Sequence, residues 1–138
     1  MLKKKKLKLG ILGLAYKVGT PLITNSFSIN LIKSILPHTK NIIGYDPLVS
    51  KDIEKIIKSK KFKHTNNIKE IKMCDVIIIV QPFTNINYKI FSKKIIVDLW
   101  RVVKNKDIIK STKYINFGNS KNKEISKELS NKVKKIII

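Results

Sequence analysis

The chain has 138 residues, of which 43% are hydrophobic and 28% charged, and 30 lysines and arginines against 9 acidic residues give a formal net charge of +21. That size and apolar content fit a single domain with one real core, and they exclude a disordered charged tail. No apolar run approaches the ~20 residues of a bilayer-spanning helix.

Residues 1–6 read as a basic leader ending in four consecutive lysines, with no signal-peptide core behind them, because Lys8 interrupts the apolar run. Cys74 is the only cysteine, which rules out an intramolecular disulfide and agrees with a reducing compartment; the expected location is the cytoplasm. The positive charge would attract any polyanion, yet Arg101 is the only arginine among the basic residues. Arginine is the side chain suited to forked phosphate and base contacts, so a diffuse lysine excess disfavours a nucleic-acid partner.

From residue 7 onward the apolar residues fall into short blocks at 7–14, 42–45, 76–80, 95–99 and 114–117. Continuous rather than alternating runs are the pattern of strands covered on both faces, as in a parallel sheet. Between the first two, Phe27, Leu31 and Ile35 repeat at helical spacing over 26–36, with Thr24, Asn25 or Ser26 as the cap and Pro37 as the stop. Further helical segments are expected at Ile53, Ile56 and Ile57, at Ile68 and Ile71, near Tyr88 and Phe91, and over 121–137, where Ile125, Leu129, Val133 and Ile137 step by four. Alternating strands and helices predict one Rossmann-like, three-layer α/β domain with a mostly parallel sheet of about five strands.

In such a fold, ligands dock where the first strand ends, because the loop and the next helix offer free backbone N–H groups. Here that exit runs Gly10-Ile11-Leu12-Gly13-Leu14-Ala15-Tyr16-Lys17-Val18-Gly19-Thr20. It is not a GxGxxG fingerprint, since no glycine stands at 12 or 15, so a dinucleotide site is disfavoured. Lys17 lies beside a small-residue loop at one strand end, and Arg101 at another on the same sheet edge, where both could meet an anion.

Three landmarks stand in order. Gly13-Leu14-Ala15-Tyr16-Lys17 is followed by Thr20 and Ser26; Tyr45-Asp46-Pro47 closes the second strand; Asp98-Leu99-Trp100-Arg101 closes a later one. Together they resemble the C-terminal, UDP-binding domain of the UDP-glucose/GDP-mannose dehydrogenase family across about residues 6–117, with 121–138 as a terminal helix packed on the same domain. The resemblance implies a nucleotide-sugar domain over 7–120 whose ligand, a UDP-sugar, is met by Gly13, Tyr16, Lys17, Thr20 and Arg101.

It also implies an oxidoreductase that turns a sugar alcohol into a carboxylate with NAD, the step from which polysaccharide precursors arise. Both the NAD-binding domain and the cysteine nucleophile belong to segments outside the region of resemblance. This chain alone is therefore expected to be inactive, a split or truncated part working with a separate chain, or else a stand-alone binding module or a decayed pseudo-enzyme. No catalytic residue is assigned to it. Two departures stand out: Leu22 and Thr24 replace a usual Asp and Arg, and Arg101 falls three residues after Asp98 rather than two, with Trp100 in the usual place.

Each residue also has a plainer reading. Lys17 could be a solvated surface lysine, Arg101 a partner of Asp98 or a turn cap, and Tyr16 and Trp100 core or rim aromatics. Asp46 could bond a ribose, although Asp-Pro at a strand end favours a turn. Cys74 reads as a small buried hydrophobe, and isolated His38 and His64 suggest no metal site.

Overall fold

The computed structural model describes residues 5–104, 113–116, 131, 134 and 135. Six strands form one sheet: β1 (Lys8–Leu12), β2 (Asn41–Tyr45), β3 (Phe62–Thr65), β4 (Val76–Ile79), β5 (Ile95–Asp98) and β6 (Lys113–Asn116). Every pairing is parallel and the order is β3-β2-β1-β4-β5-β6, so β1 and β4 lie side by side at the centre. The α/β, Rossmann-like architecture is the expected one. The additional strand is β3, whose FKHT sequence buries only Phe62 and Thr65; with one partner and a partly open face, it lacks the continuous apolar signature of the central strands.

Burial explains why the central blocks are strands. Val76, Ile77, Ile78 and Ile79 of β4 are all at 0% exposure, each contributing about 1.5–3 kcal/mol of apolar burial. Alternate residues feed two cores. On one face Leu9, Ile11, Ile42, Val76, Ile78 and Val97 pack under helices α1 (Phe27–Ile35) and α2 (Ile53–Ile57) through Leu31, Ile32, Ile35, Ile53 and Ile57. On the other, Leu12, Ile43, Ile77, Ile79 and Ile96 meet Ile71, Tyr88 and Phe91 from two 3₁₀ segments, Ile68–Met73 and Tyr88–Phe91. The segments expected near Ile68 and Tyr88 are thus short 3₁₀ helices rather than α-helices.

Helix α1 ends at Ile35, and Pro37 sits inside the 3₁₀ turn Leu36–His38 that follows, since it has no N–H with which to continue the α pattern. The helix expected over 121–137 falls outside the described residues except for Asn131, Lys134 and Lys135, which are helical. Among the described residues no helix is long and apolar enough to cross a membrane.

Cys74 is fully buried in the second core, and desolvation pushes its thiol from an ordinary 9.0 to about 11, against the pull of Lys94. The fold therefore favours the neutral thiol. Stability from this site is complete below pH 9 and is lost as pH rises through 11. Native protein at pH 8 should resist alkylation at Cys74 until denaturant is added, and chemical melts should show Cys74→Ser with a smaller decline in stability than the parent on going from pH 9 to pH 10.5, the Tyr88 and Tyr114 phenols supplying the rest.

Candidate functional site

Strand register aligns one edge of the sheet. Tyr45 pairs with both Leu12 and Thr65, Ile79 with both Leu12 and Asp98, and Asp98 with Asn116, so all six strands end together at their C-terminal side. The order of strand addition reverses about β1 here: β2 and β3 follow on one side, β4, β5 and β6 on the other. Such a switch point leaves a crevice between diverging loops.

The loop after β1 is held from below by Asp46. This carboxylate is 3% exposed, and its Oδ2 accepts from the amides of Leu14 (3.0 Å) and Ala15 (3.1 Å) while Oδ1 accepts from Leu48 N–H (3.1 Å). Asp46 is thus a loop organiser, and with three amides on it the ribose reading falls away. Gly13 carries the turn: its φ of 103° is in the left-handed region, and a Cβ would lie 2.2 Å from Gln81 Cγ. Ser26 stands at the N-cap of α1 but makes no side-chain cap bond; its hydroxyl donates to Leu14 O and that of Ser28 to Gly13 O. The serines tie the loop rather than the helix, and no acidic residue occupies the first turn of α1.

Beyond Ala15 the chain makes an outward lobe closed by Tyr16 N–H to Leu22 O at 2.7 Å. Tyr16, Lys17, Val18, Gly19, Pro21 and Leu22 are exposed, and Thr20 accepts from Leu22 N–H in a local turn. Among the described residues Lys17 has no ion-pair partner; the two salt bridges, Lys55 with Asp52 and Lys63 with Glu70, lie elsewhere.

The exit of β4 joins this loop to that of β5. Gln81, buried, donates from Nε2 to Ala15 O at 2.9 Å, and Val80 O accepts from the indole Nε1 of Trp100 at 2.6 Å. The β5 loop is organised by a second buried carboxylate. Asp98, at 0% exposure, accepts from Trp100 N–H (3.0 Å), Val103 N–H (2.9 Å) and the Tyr114 hydroxyl of β6 (2.7 Å). Burial first, then the Asp98 carboxylate, pushes the Tyr114 phenol well above its usual range, with the Arg101 charge opposing. Arg101 itself is exposed and takes a φ of 52°, a strained backbone for a residue with a side chain.

Of the five residues expected to meet a ligand, Gly13, Tyr16, Lys17 and Thr20 lie on the β1 loop and Arg101 on the β5 loop, at one edge of the sheet with β4 between them. Gly13 is buried as a hinge of the loop; the other four reach the surface. Gln81, Tyr114 and the anchoring of Trp100 were not anticipated. Only Gln81 left a trace in the sequence, as a polar residue directly after the apolar run of β4. The edge lacks the glycine pattern of a dinucleotide fingerprint, and its strand-end carboxylate is engaged by backbone amides. Among the described residues no group of His, Cys, Asp or Glu could hold a metal ion.

The model of the UDP binding domain of the UDP-glucose/GDP-mannose dehydrogenase family matches residues 10–105, most of the chain, including the β1, β4 and β5 exits of this edge. The chain belongs to that family. Similar solved structures include the UDP-D-ManNAc dehydrogenase of Pyrococcus horikoshii, 23% identical with a TM-score of 0.64 over 80% of this chain and 25% of that one. The UDP-N-acetyl-mannosamine dehydrogenase of S. aureus is 24% identical, TM-score 0.55, over 81% and 26%. The UDP-glucose dehydrogenase of Pyrobaculum islandicum is 19% identical, TM-score 0.63, over 83% and 25%. At these identities the structures establish a shared fold, and the chain spans about a quarter of their length. No curated protein matches the sequence.

Two substitutions probe the scaffold of this family domain. Asp46→Ala leaves the buried Leu14 and Ala15 amides without an acceptor, at about 1–3 kcal/mol each, so urea melts should lose about 2–6 kcal/mol. Gly13→Ala forces a Cβ into Gln81 at a backbone angle it disfavours, and should cost about 2 kcal/mol or more in the same assay.

Proposed function

We propose that this chain binds a nucleotide sugar of the UDP class at the C-terminal edge of its sheet, serving as the substrate-binding domain of an NAD-dependent sugar-nucleotide dehydrogenase. The observation that carries the reading is the convergence of a cation from each of two loops, Lys17 and Arg101, on one edge of a UDP binding domain. The uncapped first turn of α1 adds backbone N–H groups and a positive dipole end to the same loop. Lysine supplies a point charge to a diphosphate and arginine a forked donor.

On this reading oxidation requires groups that this edge does not supply. Cys74 is buried on one face of the sheet with a raised pKa, the opposite of an activated nucleophile. NAD and the nucleophile would come from other segments, on a separate chain or on the remainder of a longer one, and this domain's part is to bind and orient the nucleotide. The uncharged Leu22 and Thr24, both exposed on the β1 loop, favour a decayed pseudo-enzyme as the second reading.

Calorimetric titration of the chain with UDP-glucose, UDP and GDP-mannose at near-physiological salt tests the proposal. Saturable binding of a uridine nucleotide is expected, weakened by about 1–3 kcal/mol in Lys17→Ala and in Arg101→Ala. Absence of binding at millimolar ligand would count against a self-sufficient site.

A further inference from the structure

Trp100 is the only tryptophan of the chain, and 57% of it is exposed. It is nevertheless held at both ends: its backbone N–H bonds Asp98 Oδ1 at 3.0 Å, and its indole N–H bonds Val80 O at 2.6 Å. An anchored yet uncovered indole presents a preset flat apolar face, with little ordering left to do when something lies on it. Across the β4 exit stands Tyr16, 59% exposed, following Ala15, whose carbonyl is held by Gln81. Consecutive residues Val80 and Gln81 thus each hold one aromatic position, and the strand order β1-β4-β5 sets the two on either side of the β4 exit. Each aromatic has a cation as its next residue, Lys17 after Tyr16 and Arg101 after Trp100.

A ring face beside a cation, repeated on both flanks, suits a ligand that combines a planar ring with phosphate. We propose that Trp100 is the stacking platform for the nucleobase, so that the indole contributes base affinity while Lys17 and Arg101 meet the diphosphate. The inference rests on the nucleotide reading above and adds to it the residue that recognises the base.

The sole tryptophan is its own reporter. With excitation on the red side of the indole band, UDP and uridine should quench Trp100 emission saturably, while inorganic pyrophosphate should bind, by calorimetry, without that quenching. Trp100→Leu should weaken UDP roughly tenfold or more, the fold-change of a lost base–aromatic stack, and leave pyrophosphate unchanged. Trp100→Phe, which keeps a ring, should recover most of the affinity, and far-UV circular dichroism checks that both variants fold. UDP binding with unaltered Trp100 emission and an equal affinity in Trp100→Leu overturns the stacking role and leaves the nucleotide reading standing. Equal loss of UDP and pyrophosphate in Trp100→Leu also overturns it, since the ring would then only shape the loop. If neither UDP nor UDP-glucose binds the parent chain, both readings fall together. Should the leucine variant not fold, parent quenching and the phenylalanine variant decide the matter.

Discussion

A single buried carboxylate sets the geometry on which the rest of the edge depends. Asp46 ends β2 and reaches beneath the loop that leaves β1, where it accepts from Leu14 and Ala15. These amides would otherwise be buried without partners, a cost comparable to a lost hydrogen bond for each. Because the loop is pinned there, Leu14 turns inward onto Gly44 and the next residues turn outward, carrying Tyr16 and Lys17 to the surface. Gly13 is required at the bend by its positive φ and by Gln81 pressed against it.

The β5 loop repeats the device with Asp98, which binds two amides of its own turn and the Tyr114 hydroxyl of the neighbouring strand. A chain with 30 basic and only 9 acidic residues thus keeps two of its carboxylates buried at strand ends, as acceptors for backbone. Among the described residues no lysine is buried. A charge-assisted bond to an amide is stronger than a neutral one, and it is worth most where water is excluded. Between the two carboxylates, Val80 and Gln81 cross-link the loops, so the aromatic and cationic residues of the edge share one support.

Much of the fold was legible because the central strands are covered on both faces and therefore read as unbroken apolar runs, Val76–Ile79 most plainly. β3 escaped notice for the converse reason. As an edge strand with one paired side it tolerates Lys63 and His64, and its four residues carry no apolar run. The turns at Ile68 and Tyr88 showed a helical spacing too short to separate a 3₁₀ turn from an α-helix. Asp46 illustrates the same limit at the site. Asp-Pro announces a turn, but the amides its carboxylate would serve lie more than thirty residues away and nothing local names them.

The sequence by itself determined the parallel α/β class and the family, through period-free apolar blocks and three motifs in order, because local burial and turn chemistry are written in neighbouring residues. Which strand ends lie beside one another was decided only by the tertiary structure: β4 crosses to the far side of β1, and so sets the β1 and β5 loops on either flank of Val80 and Gln81. Anchoring of Trp100 on the β4 exit and engagement of Asp46 with the β1 loop both follow from which strands are neighbours. Hydrogen bonds between residues distant in sequence depend on chain crossing and register, which no local pattern of residues encodes.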